Sequence, residues 1–190
     1  MPRFVFPLAL LLSALAPLSA IASQPEPITG RVYLDDGDTW FYGYHGHRTY
    51  IRPAGIDSPE KSQPCIRDGK QWFAGWDAGA WVDAFVHGRD VTCTPTGRKT
   101  YGRLVANCTV ARPDGKPVDL LDAIVRAGWA VDYTHFSNGK YAEAEADAKA
   151  HHRGIWQGDY AATEAYAKTH HLGPWKGACM VPSAWRRKQK

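Results

Sequence analysis

The chain lacks an uninterrupted apolar stretch of the roughly 20 residues that a membrane-spanning helix needs. Its longest apolar run, Phe4 to Leu18, is broken by Pro7 and Pro17. No cysteine directly follows that run, which argues against a lipid anchor. There is no Cys-x-x-Cys pair, and so no thiolate framework for a structural zinc. Neither sign of charge dominates: the net charge is +4, which suits a polyanionic partner without demanding one. Histidines are present, but His45 with His47, and the pairs His151-His152 and His170-His171, have no partner at metal-ligand spacing. They read as solvated or helix-end residues. A short echo, Gly154 to Gly158 against Gly173 to Gly177, is too little for a repeat architecture.

The N-terminus carries one positive charge at Arg3, then the apolar run, then the small-x-small triplet Ala20-Ile21-Ala22. That order reads as a signal peptide over residues 1–22, cleaved after Ala22, with export to the periplasm or medium and no membrane attachment afterwards. The rest is long enough for one domain with a real core, followed by an extension over residues 157–190 that ends in a basic tail. The tail reads as a solvated, frayed terminus. Four cysteines in an exported chain imply two disulfides, with three possible pairings. Cys93 and Cys108 lie at opposing points of one hairpin and are the preferred pair. Cys65–Cys179 would then tie the tail to the barrel.

Hydrophobic patterning places strands at Ile28 to Leu34, Thr39 to Tyr44 and His47 to Ile56, the first two joined by an Asp35-Asp36-Gly37-Asp38 turn. From Gly69 to His87, Trp72, Trp76, Ala80, Trp81, Ala84 and Phe85 recur at three- and four-residue spacings, which predicts an amphipathic helix with its tryptophans in the core. Asp90 to Thr94 and Arg103 to Val110 read as two more strands, joined by a Pro95–Gly102 loop. Helices follow over Asp119 to Ala127 and Lys140 to Arg153, and residues Asp159–Leu172 read as an insertion with helical character. The predicted class is α+β, mainly β: a five-stranded Greek-key barrel with three packed helices, the OB-fold. A monomer is expected.

Charges cluster where the strands should be apolar: Asp36, Asp38, Arg52, Asp57, Glu60 and Arg103. Charges in such places need pairing or an ion. Carboxylates suit a hard cation; arginine forks suit a phosphate. In order, Asp36-Gly37-Asp38-Thr39, Arg52-Pro53-Ala54-Gly55-Ile56-Asp57-Ser58-Pro59-Glu60, Tyr101-Gly102-Arg103, Gly128-Trp129-Ala130 and Ala144-Glu145-Ala146-Asp147-Ala148-Lys149 resemble the staphylococcal nuclease (thermonuclease) family, from about Ile28 to Trp156. Pro182-Ser183-Ala184-Trp185-Arg186 resembles the tail of exported bacterial members. The resemblance implies an endonuclease domain over residues 23–156 that hydrolyses DNA and RNA with calcium and leaves 3′-phosphate ends. It implies calcium ligation by Asp38, Asp57 and the Ser58 carbonyl, with Asp36 behind them. Glu60 would hold the attacking water, Arg52 and Arg103 would neutralise the phosphate, and Tyr101 would contact a neighbouring phosphate. Lys99 stands where family members commonly carry an acid. One of Tyr133, His135 and Phe136 would stack on a base. The alternative is an OB-fold that binds nucleic acid without cutting it.

The export reading predicts that the protein recovered from the periplasm or medium begins at Ser23. N-terminal sequencing that returns Met1 would overturn it.

Overall fold

The structure is a computed structural model and describes residues 25–44, 46–157, 169, 175–176 and 179–190. The expected signal peptide and the helical insertion at residues 159–172 lie outside the described residues, apart from Thr169.

The Asp-Gly signal is met by a tight hairpin between β2 (Tyr33–Asp36) and β3 (Thr39–Tyr42). The register shifts between Leu34 and Asp36, a bulge beside the turn. At Gly37 the hairpin tip presses against the segment after β5 (Ile56–Asp57). A Cβ there would lie 2.2 Å from the Ser58 hydroxyl oxygen. Behind β3 runs β4 (Thr49–Pro53). Its strict alternation buries Ile51 and turns Tyr50 and Arg52 outward. Pro53 ends β4 beyond the last described β3–β4 pair, so its missing N–H costs no bond on that side.

One long hairpin supports the rest: β8 (Val91–Thr100) against β9 (Arg103–Ala111). The expected Pro95–Gly102 loop is mostly strand. Pro95 sits where the register shifts, the position a sheet tolerates for proline, and the connection shrinks to Tyr101-Gly102. Both turn residues have positive φ, 47° and 78°, matching the primed turns that favour two-residue hairpins. Cys93 and Cys108 pair directly across the hairpin and are bonded, as preferred from the sequence.

With β1 at Ile28–Gly30, the main sheet runs β1-β8-β9-β4-β3-β2, with β10 (Pro117–Asp119) on β9 and the β4–β9 pair parallel. The expected first strand divides into β1 (Ile28–Gly30), which pairs with β8, and β2, which pairs with β3. Alternation alone does not name a strand's partner. The α+β class holds, but the hydrogen-bonded path is open and has more strands than the expected five; these ladders do not describe a closed barrel.

The first helix, α1, spans Ala74–Val86, shorter than expected. Residues 70–72, assigned to its start, form β7 (Lys70–Trp72), which pairs with β6 (Cys65–Arg67). Trp76 is 60 % exposed under the Lys61 ammonium, not in the core as predicted, and Trp81 stacks on Phe85 at 4.7 Å. Helix α2 (Leu120–Arg126) is capped by the Asp119 carboxylate on the Leu121 and Asp122 amides. Its Leu120, Leu121, Ile124 and Val125 pack with Trp40, Ile51 and Val91 in the main core. A one-turn helix α3 (Thr134–Ser137) precedes α4 (Ala142–Ala150). A smaller core gathers Ala74, Val131, Ala148, Ile155 and Trp156 around the second disulfide, Cys65–Cys179. Strand β11 (Val131–Asp132) pairs with β5, and beside that bridge β13 (Cys179–Met180) pairs with both β12 (Trp175–Lys176) and β6. Helix α5 (Pro182–Lys188) follows at once.

Helix α1 meets the chain around Glu60 without spare room. A Cβ on Gly75 would stand 2.3 Å from the Glu60 carbonyl oxygen and 2.6 Å from that of Pro59. Gly75→Ala is therefore expected to destabilise the fold by about 1–3 kcal/mol, the usual cost of overpacking. An unchanged urea midpoint would show that the Glu60 segment yields freely.

Candidate active site

A cleft of about 680 Å³ opens beside the β2–β3 turn. Its lining includes Asp36, Asp38, Arg52, Glu60, Tyr101 and Arg103 from the residues expected in the site. Asp57 and Ser58 are buried beside them. Residues from three separate stretches of sequence are thus gathered by the hairpin tip, the end of β4 and the β8–β9 turn.

Arg52 is the hub. One guanidinium nitrogen pairs with the Asp38 carboxylate; the other donates to Asp57 Oδ1 at 3.1 Å and to the Ile56 carbonyl at 3.3 Å. Asp38 is also held by its neighbours. Its Oδ2 accepts from the Ser58 amide at 2.8 Å, and its own amide donates to Asp36 Oδ1 at 3.0 Å. The Ser58 hydroxyl donates to the Trp129 carbonyl at 2.8 Å, locking the segment onto the chain after α2. Arg103 donates to the Thr39 hydroxyl at 2.8 Å. Tyr101, at the turn, is 89 % exposed.

The far wall was not foreseen. The tail expected to be frayed is α5, and it docks on the acids. Ser183 donates its amide to Asp57 Oδ2 at 3.0 Å, and Arg186 donates to Asp57 Oδ1 at 2.7 Å and to Glu60 Oε1 at 2.8 Å. The Cys65–Cys179 bridge and a buried Gln63 amide, 2.7 Å from the Met180 carbonyl, bring α5 there. Arg187 and Lys190 join the lining, as do Arg98 and Lys99 from β8 and Tyr133 and Phe136, with the Arg98 guanidinium 5.2 Å from the centre of the Phe136 ring. The Pro182-Ser183-Ala184-Trp185-Arg186 motif was the available signal, but its charge alone does not distinguish a docked helix from a solvated one.

The electrostatics follow from burial. Asp36 is pushed up to about 6 by desolvation, then by the charges of Asp38 and Glu60. Burial and the neighbouring Asp38 also push the Asp57 carboxyl up, against the pull of Arg186 and Arg52. Burial would lower the Arg186 guanidinium, yet Asp57 and its hydrogen bonds to both carboxylates hold it above the ordinary range.

Asp38 and Asp57 offer adjacent hard oxygens, the donor chemistry of a calcium site. Among the described residues, however, no group of three or more His, Cys, Asp or Glu side chains is placed to share one ion. Each oxygen of both carboxylates already accepts from a guanidinium or an amide. The donors fit a hard cation in type; a bound cation would have to share or displace their present partners.

Residues 50–158 match the model of the family described as staphylococcal nuclease homologue. The chain is 35 % identical over 138 residues to the succinoglycan biosynthesis protein ExoI of Rhizobium meliloti (strain 1021), covering 72 % of this chain and 68 % of that protein. It is 34 % identical over 113 residues to the probable endonuclease LCL3 of Clavispora lusitaniae, covering 56 % of this chain and 47 % of that one. Against the probable endonuclease LCL3 of Candida tropicalis it is 32 % identical over 113 residues, with 56 % and 46 % covered. The chain thus spans about half the length of these endonuclease-named relatives. With more than half of its length matched by the family model and its acids and arginines gathered in one cleft, the chain belongs to the staphylococcal nuclease homologue family.

Proposed function

We propose that the chain is an exported, calcium-dependent endonuclease that hydrolyses phosphodiester bonds of DNA and RNA. The observation that carries this reading is the convergence of Arg52, Arg103, Asp38, Asp57 and Glu60 at one cleft that also bears Arg98, Lys99, Arg187 and Lys190. Such a cleft has cationic walls for a phosphate backbone and carboxylates to orient water. The two disulfides suit an oxidising compartment. No helix among the described residues is long and apolar enough to cross a membrane.

Arg52 and Arg103 act on the phosphate. As water adds to phosphorus, negative charge on its oxygens grows, and fixed guanidinium forks stabilise that state more than the ground state. Arg52 suits this role because Asp38 and Asp57 hold it in place, and little reorganisation is needed during reaction. Glu60 holds the attacking water in line with the leaving 5′-oxygen, as base or positioner. That geometry leaves the 3′-phosphate end the family implies. Tyr101, exposed at its turn, contacts the next phosphate, and one of Tyr133, His135 and Phe136 stacks on a base; Phe136 is 44 % exposed in the cleft lining with the Arg98 guanidinium over its ring. Calcium held by Asp38, Asp57 and the Ser58 carbonyl would supply Lewis acidity and a template for the phosphate. The chain acts as a monomer in this reading.

Glu60→Ala and Arg103→Ala are each expected to slow cleavage by about 100-fold or more, the scale of removing one preorganised group. Neither residue belongs to the apolar core, so the melting temperature should move little. Unchanged kinetics in either variant would mean that the site is misassigned. The reading as a whole is tested by digesting single-stranded and duplex DNA with calcium, with magnesium and with a chelator, beside Glu60→Ala. Calcium-dependent cutting that the variant loses supports it. Intact DNA in every condition, from a folded protein that still binds it, would replace the enzyme with a non-catalytic binder.

A further inference from the structure

Asp57 already accepts three hydrogen bonds on its two oxygens. Its side chain is 1 % exposed, and it accepts from Arg52, from the Ser183 amide and from Arg186. Arg186 also spans to Glu60, so one guanidinium ties the acid proposed to hold calcium to the acid proposed to hold water. A rigid, permanently charged fork is well suited to such a bridge. It neutralises two carboxylates that would otherwise repel each other, which is also what a divalent cation at Asp57 would do. A guanidinium hydrogen-bonded to the same carboxylate as a bound divalent ion would add like-charge repulsion.

The donors on Asp57 are not equally able to yield. Arg52 is 15 % exposed and is held by Asp38 and the Ile56 carbonyl as well. The Ser183 amide is neutral and belongs to the backbone of α5. Arg186 is 33 % exposed, lies in the last turn of that helix and borders the open cleft. Of the charged partners it has the shorter route to solvent. The Cys65–Cys179 bridge and the Gln63–Met180 hydrogen bond keep the helix docked, so an Arg186 that swings away stays within reach of the acids.

We propose that Arg186 is an intramolecular competitor of the divalent cation: it bridges Asp57 and Glu60 until a cation displaces it, and so sets the cation affinity of the site. This rests on the calcium reading above and adds a residue that the reading does not use. The apparent cation affinity is then the intrinsic affinity reduced by the fraction of molecules in which Arg186 has moved away.

The test is calorimetric titration of calcium into the full-length, disulfide-intact protein, beside Arg186→Gln and Arg186→Lys, without substrate. If Arg186 holds the acids in about nine molecules of ten, Arg186→Gln lowers the apparent Kd about tenfold. Arg186→Lys, which keeps the charge but loses the fork, should fall between. Calcium should also raise the melting temperature more in Arg186→Gln than in the parent protein. Should the glutamine variant fail to fold, a tighter Kd in the lysine variant supports the proposal and an unchanged one overturns it. Equal binding by all three proteins would overturn the competition while leaving the calcium reading intact. Weaker binding by Arg186→Gln would also overturn it, making Arg186 a support for the cation. No binding by any of them would remove both.

Discussion

A carboxylate buried as deeply as that of Asp57 cannot stand alone, because desolvation disfavours the ion unless opposite charge or hydrogen bonds replace the lost water. The chain meets that requirement from two directions. Arg52 arrives from β4, five residues earlier in sequence, and α5 arrives from the end of the chain. Much of the cleft is arranged around this neutralisation. Arg52 can face Asp57 only because strand alternation turns it away from Ile51 and the core. Asp38 reaches the same guanidinium because the β2–β3 turn sits flush against Ser58. The charges that would act on a phosphate are therefore also the charges that make the buried acids tolerable.

The readable parts of the fold and site were local ones. The Asp-Gly turn, the strand through Ile51 and Arg52 and the helix beginning near Asp119 are all decided by residues a few positions apart. So is the grouping of Asp36 with Asp38 and of Asp57 with Glu60. What failed was decided at a distance. Residues 69–73 carry helical spacing, but β7 is drawn into a sheet with β6, and β6 pairs with β13, more than a hundred residues later. Pro95 looked like a loop residue, and the irregular register opposite Ala106 accommodates it inside a strand. Trp76 follows the helical repeat, yet its side chain is largely exposed, with the Lys61 ammonium over its ring.

Arg186 is the instructive case. By composition it belongs to a basic terminus, and a basic terminus is ordinarily solvated. Three features change that outcome: a disulfide to β6, a buried amide on the carbonyl of Met180, and an acid pair too buried to be satisfied by water. None is a property of the tail's own sequence. The cysteine count indicated that the tail was tethered, but only the positions of Asp57 and Glu60 indicated to what.

The same arrangement bears on how four clustered acids can be assembled in one cleft. Four acids, Asp36, Asp38, Asp57 and Glu60, share a small volume, and mutual repulsion among them would loosen the β2–β3 turn and the segment through Ser58. Arg52 and Arg186 oppose that repulsion from inside the chain, so the geometry of the cleft does not depend on a cation for its assembly. Arg52 is sheltered in the sheet, while Arg186 stands on a short terminal helix held by one disulfide. The arrangement divides the work between a fixed charge that belongs to the architecture and a movable one that can give way to a ligand. Folding is served by both, and binding needs only the second to move.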